Sequence, residues 1–147
     1  MLSHLNITAL IIVTGVSLSA CGNDAITSAD ASNERAVEIG EGVYTENCAS
    51  CHGANLEGEA NWQVKKSDGT LPAPPHNDSG HTWHHDDKLL FGYTKFGGAG
   101  MLPKDIKSGM PAFGNTLSDE KIWAVLSFIK SKWSIVAQQR QASLNIK

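Results

Sequence analysis

The pentapeptide Cys48-Ala49-Ser50-Cys51-His52 constrains this chain more than any other stretch. The chain holds only three cysteines in 147 residues. Two of them bracket this motif, and a histidine follows the second. A C-x-x-C pair by itself fits a redox dithiol or half of a zinc site. A zinc site needs a second pair of ligands, and no cysteine pair remains to supply it. A thioredoxin-like dithiol wants a βαβ setting, which the sequence pattern lacks. The remaining reading is covalent haem attachment, C-x-x-C-H. In that reading two thioethers, about one helical turn apart, fix the porphyrin edge. His52 then stands beside that edge with Nε2 toward the iron, and its Nδ1–H needs an acceptor to hold the ring.

Cys21 requires a separate explanation. It ends the run "ITALIIVTGVSLSAC", whose apolar part, Leu5 to Leu18, has signal-peptide length and is short for a membrane span. The closing "LSAC" resembles a bacterial lipoprotein signal, in which the cysteine is acylated and becomes the mature N-terminus. The first residues carry no Lys or Arg, only His4. A plain secretory signal or an uncleaved anchor are the alternatives, and all three export the chain. The expected division is residues 1–20 as signal peptide, 21–33 as lipidated tether, 34–136 as the folded domain and 137–147 as a C-terminal tail. The segment "GNDAITSADASN" is small and polar, without apolar periodicity, which is why a tether is expected. Membrane attachment through lipidated Cys21 would place the domain at the periplasmic side of a bacterial membrane.

With 41% apolar and 18% charged residues, the rest suits one small globular domain. The net charge of −3 offers nothing to nucleic acid, which requires a dense basic patch. The charge is unevenly spread. Up to Trp62, Arg35 is the only Lys or Arg against eight acids; beyond it eleven Lys and Arg face seven acids. Such a dipolar surface can orient a redox protein partner.

An iron held by His52 has a sixth position to fill or leave open. Met1 lies in the signal, Met101 in "GGAGMLPKD" and Met110 in "KSGMPAFGN". Any single methionine is ordinarily core filler. Met110 is the better ligand: Pro111 fixes the backbone just after it, and Gly109 allows close approach.

Together, "ENCASCHG", "SGMPAFG" and "LSDEKIWAVLSFIK" resemble a class I cytochrome c, over roughly Glu34 to Trp133. The resemblance implies an all-α fold wrapped around one covalent haem c. It also implies low-spin ligation by His52 and Met110, and a single-electron carrier rather than an enzyme.

Periodicity supports three helices. "ERAVEIGEGVYTENCASCH" brings Val37, Gly40, Tyr44 and Cys48 toward one face. Gly40 and Tyr44 stand where the family places a small residue and an aromatic against the last helix, whereas Gly42 has no evident reason to be glycine. The last helix is expected to start at Ser118 as N-cap, with Asp119 and Glu120 in its first turn. Its apolar stripe is Ile122, Val125, Leu126 and Ile129. A third helix is expected in "DDKLLFGYTKFGG", capped by Asp86 and stopped by Gly97, with Leu89, Leu90, Tyr93 and Phe96 inward.

Between them lies "LPAPPHNDSGHTWHHDD". In the family a proline segment offers a carbonyl to the proximal histidine, and Pro72, Pro74 and Pro75 are the candidates. His76, His81, His84 and His85 cluster with Asp78, Asp86 and Asp87. A second metal site is one reading; structural or haem-propionate roles are the other, with Trp83 and Trp62 as possible indole donors. The alternatives to an electron carrier are therefore a haem enzyme or sensor with a labile sixth ligand, and a metal-binding accessory protein working through this loop.

Overall fold

The computed structural model of the chain describes residues 24–146. Cys21 and the apolar run before it lie outside the described residues. Five helices are α1 (Glu34–Asn47), α2 (Ala49–His52), α3 (Asp87–Met101), α4 (Asp119–Ser131) and α5 (Ile135–Leu144). Two short strands, β1 (Thr70–Leu71) and β2 (Lys107–Ser108), pair in parallel with Thr70 opposite Lys107. A 3-10 turn, Thr82–His84, precedes α3. The fold is all-α in class.

Each long helix begins where a side chain accepts from an otherwise unpaired backbone N–H. Asn33 caps α1 at Ala36, Asp86 caps α3 at Leu89, Ser118 caps α4 at Lys121 and Ser134 caps α5 at Ala137. Helix α4 is the hub. Ile122, Val125, Leu126, Phe128 and Ile129 are all buried, and they meet Val43 and Tyr44 of α1 and Leu90 of α3. The Tyr44 and Phe128 rings lie 5.3 Å apart. Trp123, half-buried, stacks on Phe91 of α3 at 4.2 Å.

Helices α1 and α4 touch through backbone at Gly40. A Cβ there would run into the carbonyl of Ala124. The crossing is thus closer than any other residue type permits.

Three expectations need correction. Phe96 does not face inward; it is 56% exposed. Just beyond it Gly97 takes φ 71, ψ 170 and breaks the helix, and one further turn follows to Met101. The inward positions of this stretch pass to Gly97 and Gly98, both buried. Second, the expected tether is docked from Ile26 onward. Ile26 and Ala29 are buried, Ile26 beside Ala36 and Ala124. The Asp30 N–H donates to Ser127 Oγ at 2.9 Å. Two apolar residues amid polar ones give no periodic signal, yet they suffice once the α1–α4 surface is there to receive them.

Third, residues 137–147 are not a free tail, since most of them form α5. Ala137 and Gln141 are buried on its inner side. The Gln141 amide donates to His85 O at 3.1 Å and to Asp87 Oδ1 at 2.7 Å. Lys130 Nζ sits at the centre of this junction, 2.8 Å from Asp87 Oδ1 and 2.9 Å from Ala29 O. One ammonium thereby ties the N-terminal segment and the start of α3 to α4, and Gln141 of α5 joins through the same carboxylate.

Candidate haem site

Helix α1 ends at Asn47, and Cys48 N donates to Tyr44 O at 2.8 Å. The chain then makes one more turn, α2, which carries Cys51 and His52. Cys48 is half-buried and Cys51 exposed, and neither is bridged. Burial, with the neighbouring Cys51 as a lesser cause, pushes the Cys48 thiol up to about 11. The two sulfurs thus stand at one short helix, Cys48 as its N-cap and Cys51 within it.

His52 is buried. Its Nδ1 stands 2.9 Å from the carbonyl oxygen of Pro74. Burial lowers its pKa below the ordinary histidine value, opposed by the bond to Pro74, so the ring is neutral near pH 7. A neutral imidazole whose Nδ1–H donates to a carbonyl presents Nε2 as a lone-pair donor, the state that ligates a metal. Of the three candidate prolines, the geometry selects Pro74.

The loop that delivers this carbonyl is pinned to the residues after His52. Gly58 N donates to His52 O and His76 N to Leu56 O, both at 2.8 Å. Glu59 N donates to Ala73 O at 2.9 Å, and Ala73 N returns a bond to Glu59 Oε2 at 2.6 Å. That N–H and the Lys66 ammonium hold the Glu59 carboxyl below its ordinary pKa. Tyr44 OH closes the turn by donating to Gly53 O at 2.8 Å. Burial raises its pKa, so it remains a donor throughout the physiological range.

Met110 lies in the segment that folds back on the break in α3. Gly98 N donates to Met110 O at 3.1 Å, Phe113 N to Thr94 O at 3.1 Å and Gly114 N to Lys95 O at 2.9 Å. Gly97 lies against the backbone of Met110, Pro111 and Ala112, a contact that combines with its positive φ to exclude any side chain. Met101 lies elsewhere, its thioether against Gly92 on α3. The sequence distinguished the two methionines by their neighbours in the chain; the structure gives each a different setting.

The residues fit a c-type haem on their donor chemistry. Two unbridged thiols flank one turn of helix, beside an imidazole whose Nδ1 is engaged and whose Nε2 has no hydrogen-bond partner among the described residues. A model of the family described as cytochrome C oxidase, cbb3-type, subunit III, matches residues 35–129. The chain belongs to this family of c-type cytochrome domains. No curated protein and no solved structure gives a match. A cytochrome domain of this kind carries haem and works in electron transfer with redox partners.

The histidines in the loop of this cytochrome are held chiefly by aromatic packing. Among the described residues no three His, Cys, Asp or Glu side chains converge as a metal site would require. His81 stacks on Trp62 at 5.2 Å and meets His85 edge-on at 5.4 Å, while His84 packs on Trp83 at 3.8 Å. Trp83 donates its indole N–H to Asp78 O at 3.3 Å, and Arg140 of α5 lies over its ring. These contacts fasten the loop to α5. His76 behaves differently: it turns inward onto His52. Only its position right after Pro74-Pro75 hinted at that, and the sequence reading gave it no distinct role.

Proposed function

We propose that this protein is a single-electron carrier with one haem c, held covalently by Cys48 and Cys51 and ligated by His52 and Met110. The observation that carries the reading is the Nδ1–carbonyl bond of His52 to Pro74, beside two unbridged cysteines. When bound, the haem supplies reversible one-electron chemistry at iron. The protein's part is to hold and insulate. Cys48 and Cys51, at the start and within α2, would hold the haem covalently. Pro74 O keeps His52 in the Nδ1–H tautomer and makes Nε2 a stronger donor. The break at Gly97 and the paired backbone of Met110 to Gly114 keep the methionine segment from drifting. A thioether ligand favours ferrous iron and so raises the potential. Were His52 and Met110 both to hold the iron, none of its positions would be left for a substrate, which supports electron transfer over catalysis.

The location is also part of the proposal: export by the N-terminal segment and attachment to the periplasmic face of a bacterial membrane through acylated Cys21. No helix among the described residues is long and apolar enough to cross a membrane. Docking of the chain from Ile26 would hold the domain close to such an anchor.

An optical redox titration of the exported protein, with its intact mass, tests the carrier reading. The expected result is one covalent haem with a low-spin spectrum in both oxidation states. A five-coordinate high-spin spectrum would turn the reading toward an enzyme or sensor. The Met110→Ala variant is expected to keep covalent haem, open the iron and lower the potential, while Met101→Ala leaves both unchanged. Cys21→Ser is expected to release the protein from membranes.

A further inference from the structure

The imidazole of His76 lies flat on that of His52. Their centroids are 3.9 Å apart and their planes differ by 21°. His76 is itself fixed from several sides. Its N–H donates to Leu56 O at 2.8 Å, and its carbonyl accepts the Trp133 indole N–H at 2.7 Å. Its Nδ1 is 2.8 Å from the hydroxyl of Thr82, which is buried and reaches on to Pro75 O at 3.4 Å. The Tyr44 ring stands edge-on to it at 6.5 Å.

The bond to Pro74 restrains one atom of the His52 ring but leaves the ring free to rock about that contact. A flat, immobile plate against the ring face removes this freedom, and aromatic stacking favours the parallel setting. We infer that His76 is a positioning residue that fixes the plane of the His52 imidazole. The inference rests on the proposal that His52 ligates haem. In that role the ring plane sets how the imidazole π-orbitals meet those of the iron, a lever on the electronic state that Pro74 alone does not control. The neighbours that hold His76, Thr82 and Trp133, are thereby indirect determinants of the same plane.

The test uses the full-length holoprotein and compares His76→Leu with His76→Phe. Haem-methyl proton shifts of the ferric protein report the plane of an axial imidazole, and the reduction potential is read alongside. His76→Leu is expected to keep covalent haem and the low-spin spectrum, to redistribute the methyl shifts and to move the potential. His76→Phe keeps a flat ring at that place and is expected to restore the methyl pattern toward wild type. If His76→Leu yields no holoprotein, His76→Met fills the same space flexibly and carries the same expectation. A leucine or methionine variant with the wild-type methyl pattern and potential would overturn the inference. The underlying ligand assignment fails by a separate sign: a His52→Ala protein that keeps the low-spin spectrum of the wild type.

Discussion

Gly40 of α1 lies directly on the backbone carbonyl of Ala124 of α4, with the Cβ of Phe128 also in contact range of any added carbon. This crossing joins the helix that carries Cys48 to the helix that anchors the core. Its closeness sets how far α2, and with it His52, stands from α4.

Gly40→Ala is therefore expected to destabilise the holoprotein by at least about 1–3 kcal/mol, because backbone rather than a flexible side chain must give way. Gly42 is the control. It lies in the same helix with nothing within 4 Å of an added Cβ. Gly42→Ala is expected to stabilise by roughly 0.5–1 kcal/mol, the usual helix preference for alanine. Chemical denaturation of the two variants measures both; equal effects would remove the close-packing account.

Asp87 receives Lys130, Gln141 and Asn145 at once. Asp87→Ala leaves a nearly buried ammonium with Ala29 O alone and takes the carboxylate from two amides. The expected loss is about 2–4 kcal/mol, below the full penalty for breaking a buried pair because the carboxylate is partly exposed. Amide exchange should show α5 opening first, since Gln141 and Asn145 lose the carboxylate they share. Uniform loss of protection across all helices would mean that the junction is not local.

Glu59 gives a pH signature. Its folded pKa is depressed by the Ala73 N–H and by Lys66. Its contribution is thus complete above the ordinary value of 4.5 and is lost as pH falls through the lower folded value. Wild type is expected to exceed Glu59→Gln in stability near neutrality and to converge with it in acid. Denaturation midpoints of the pair across pH measure this. Since Ala73 precedes Pro74, the same variant should loosen the carbonyl that orients His52.

Lys130→Met tests the docking of the N-terminal segment. The substitution keeps most of the apolar stem but removes the bond to Ala29 O. Limited proteolysis is expected to cut between Asp24 and Asn33 faster than in wild type. An unchanged cleavage rate would show that burial of Ile26 and Ala29, with bonds such as that of Asp30 to Ser127, secures the segment without Lys130.

Much of this cytochrome was legible in its sequence because the signals are local. C-x-x-C-H names a chemistry within five residues. Asp86 and Ser118 cap the helices they precede because an N-cap acts on the next three residues, and the stripe of α4 follows from a 3.6-residue period. The break at Gly97 follows from its lack of a Cβ, although the extra turn to Met101 does not.

Other features exist only because distant segments meet. No pattern in "LPAPPH" says which carbonyl reaches His52; the pairing of Glu59 with Ala73 decides it. Nothing local turns His76 inward while His81 and His84 face outward. Ile26, Ala29 and Gln141 look like linker or tail residues until the α1–α4 surface and the Asp87–Lys130 pair give them partners. The sequence by itself determined α1, α3 and α4 and the residue types able to hold a haem, since those depend on neighbours in the chain. The tertiary structure alone decided the orientation of the His52 ring and the docking of Ile26, Ala29 and α5. Those depend on hydrogen bonds and burial between residues tens of positions apart, which leave no periodic trace.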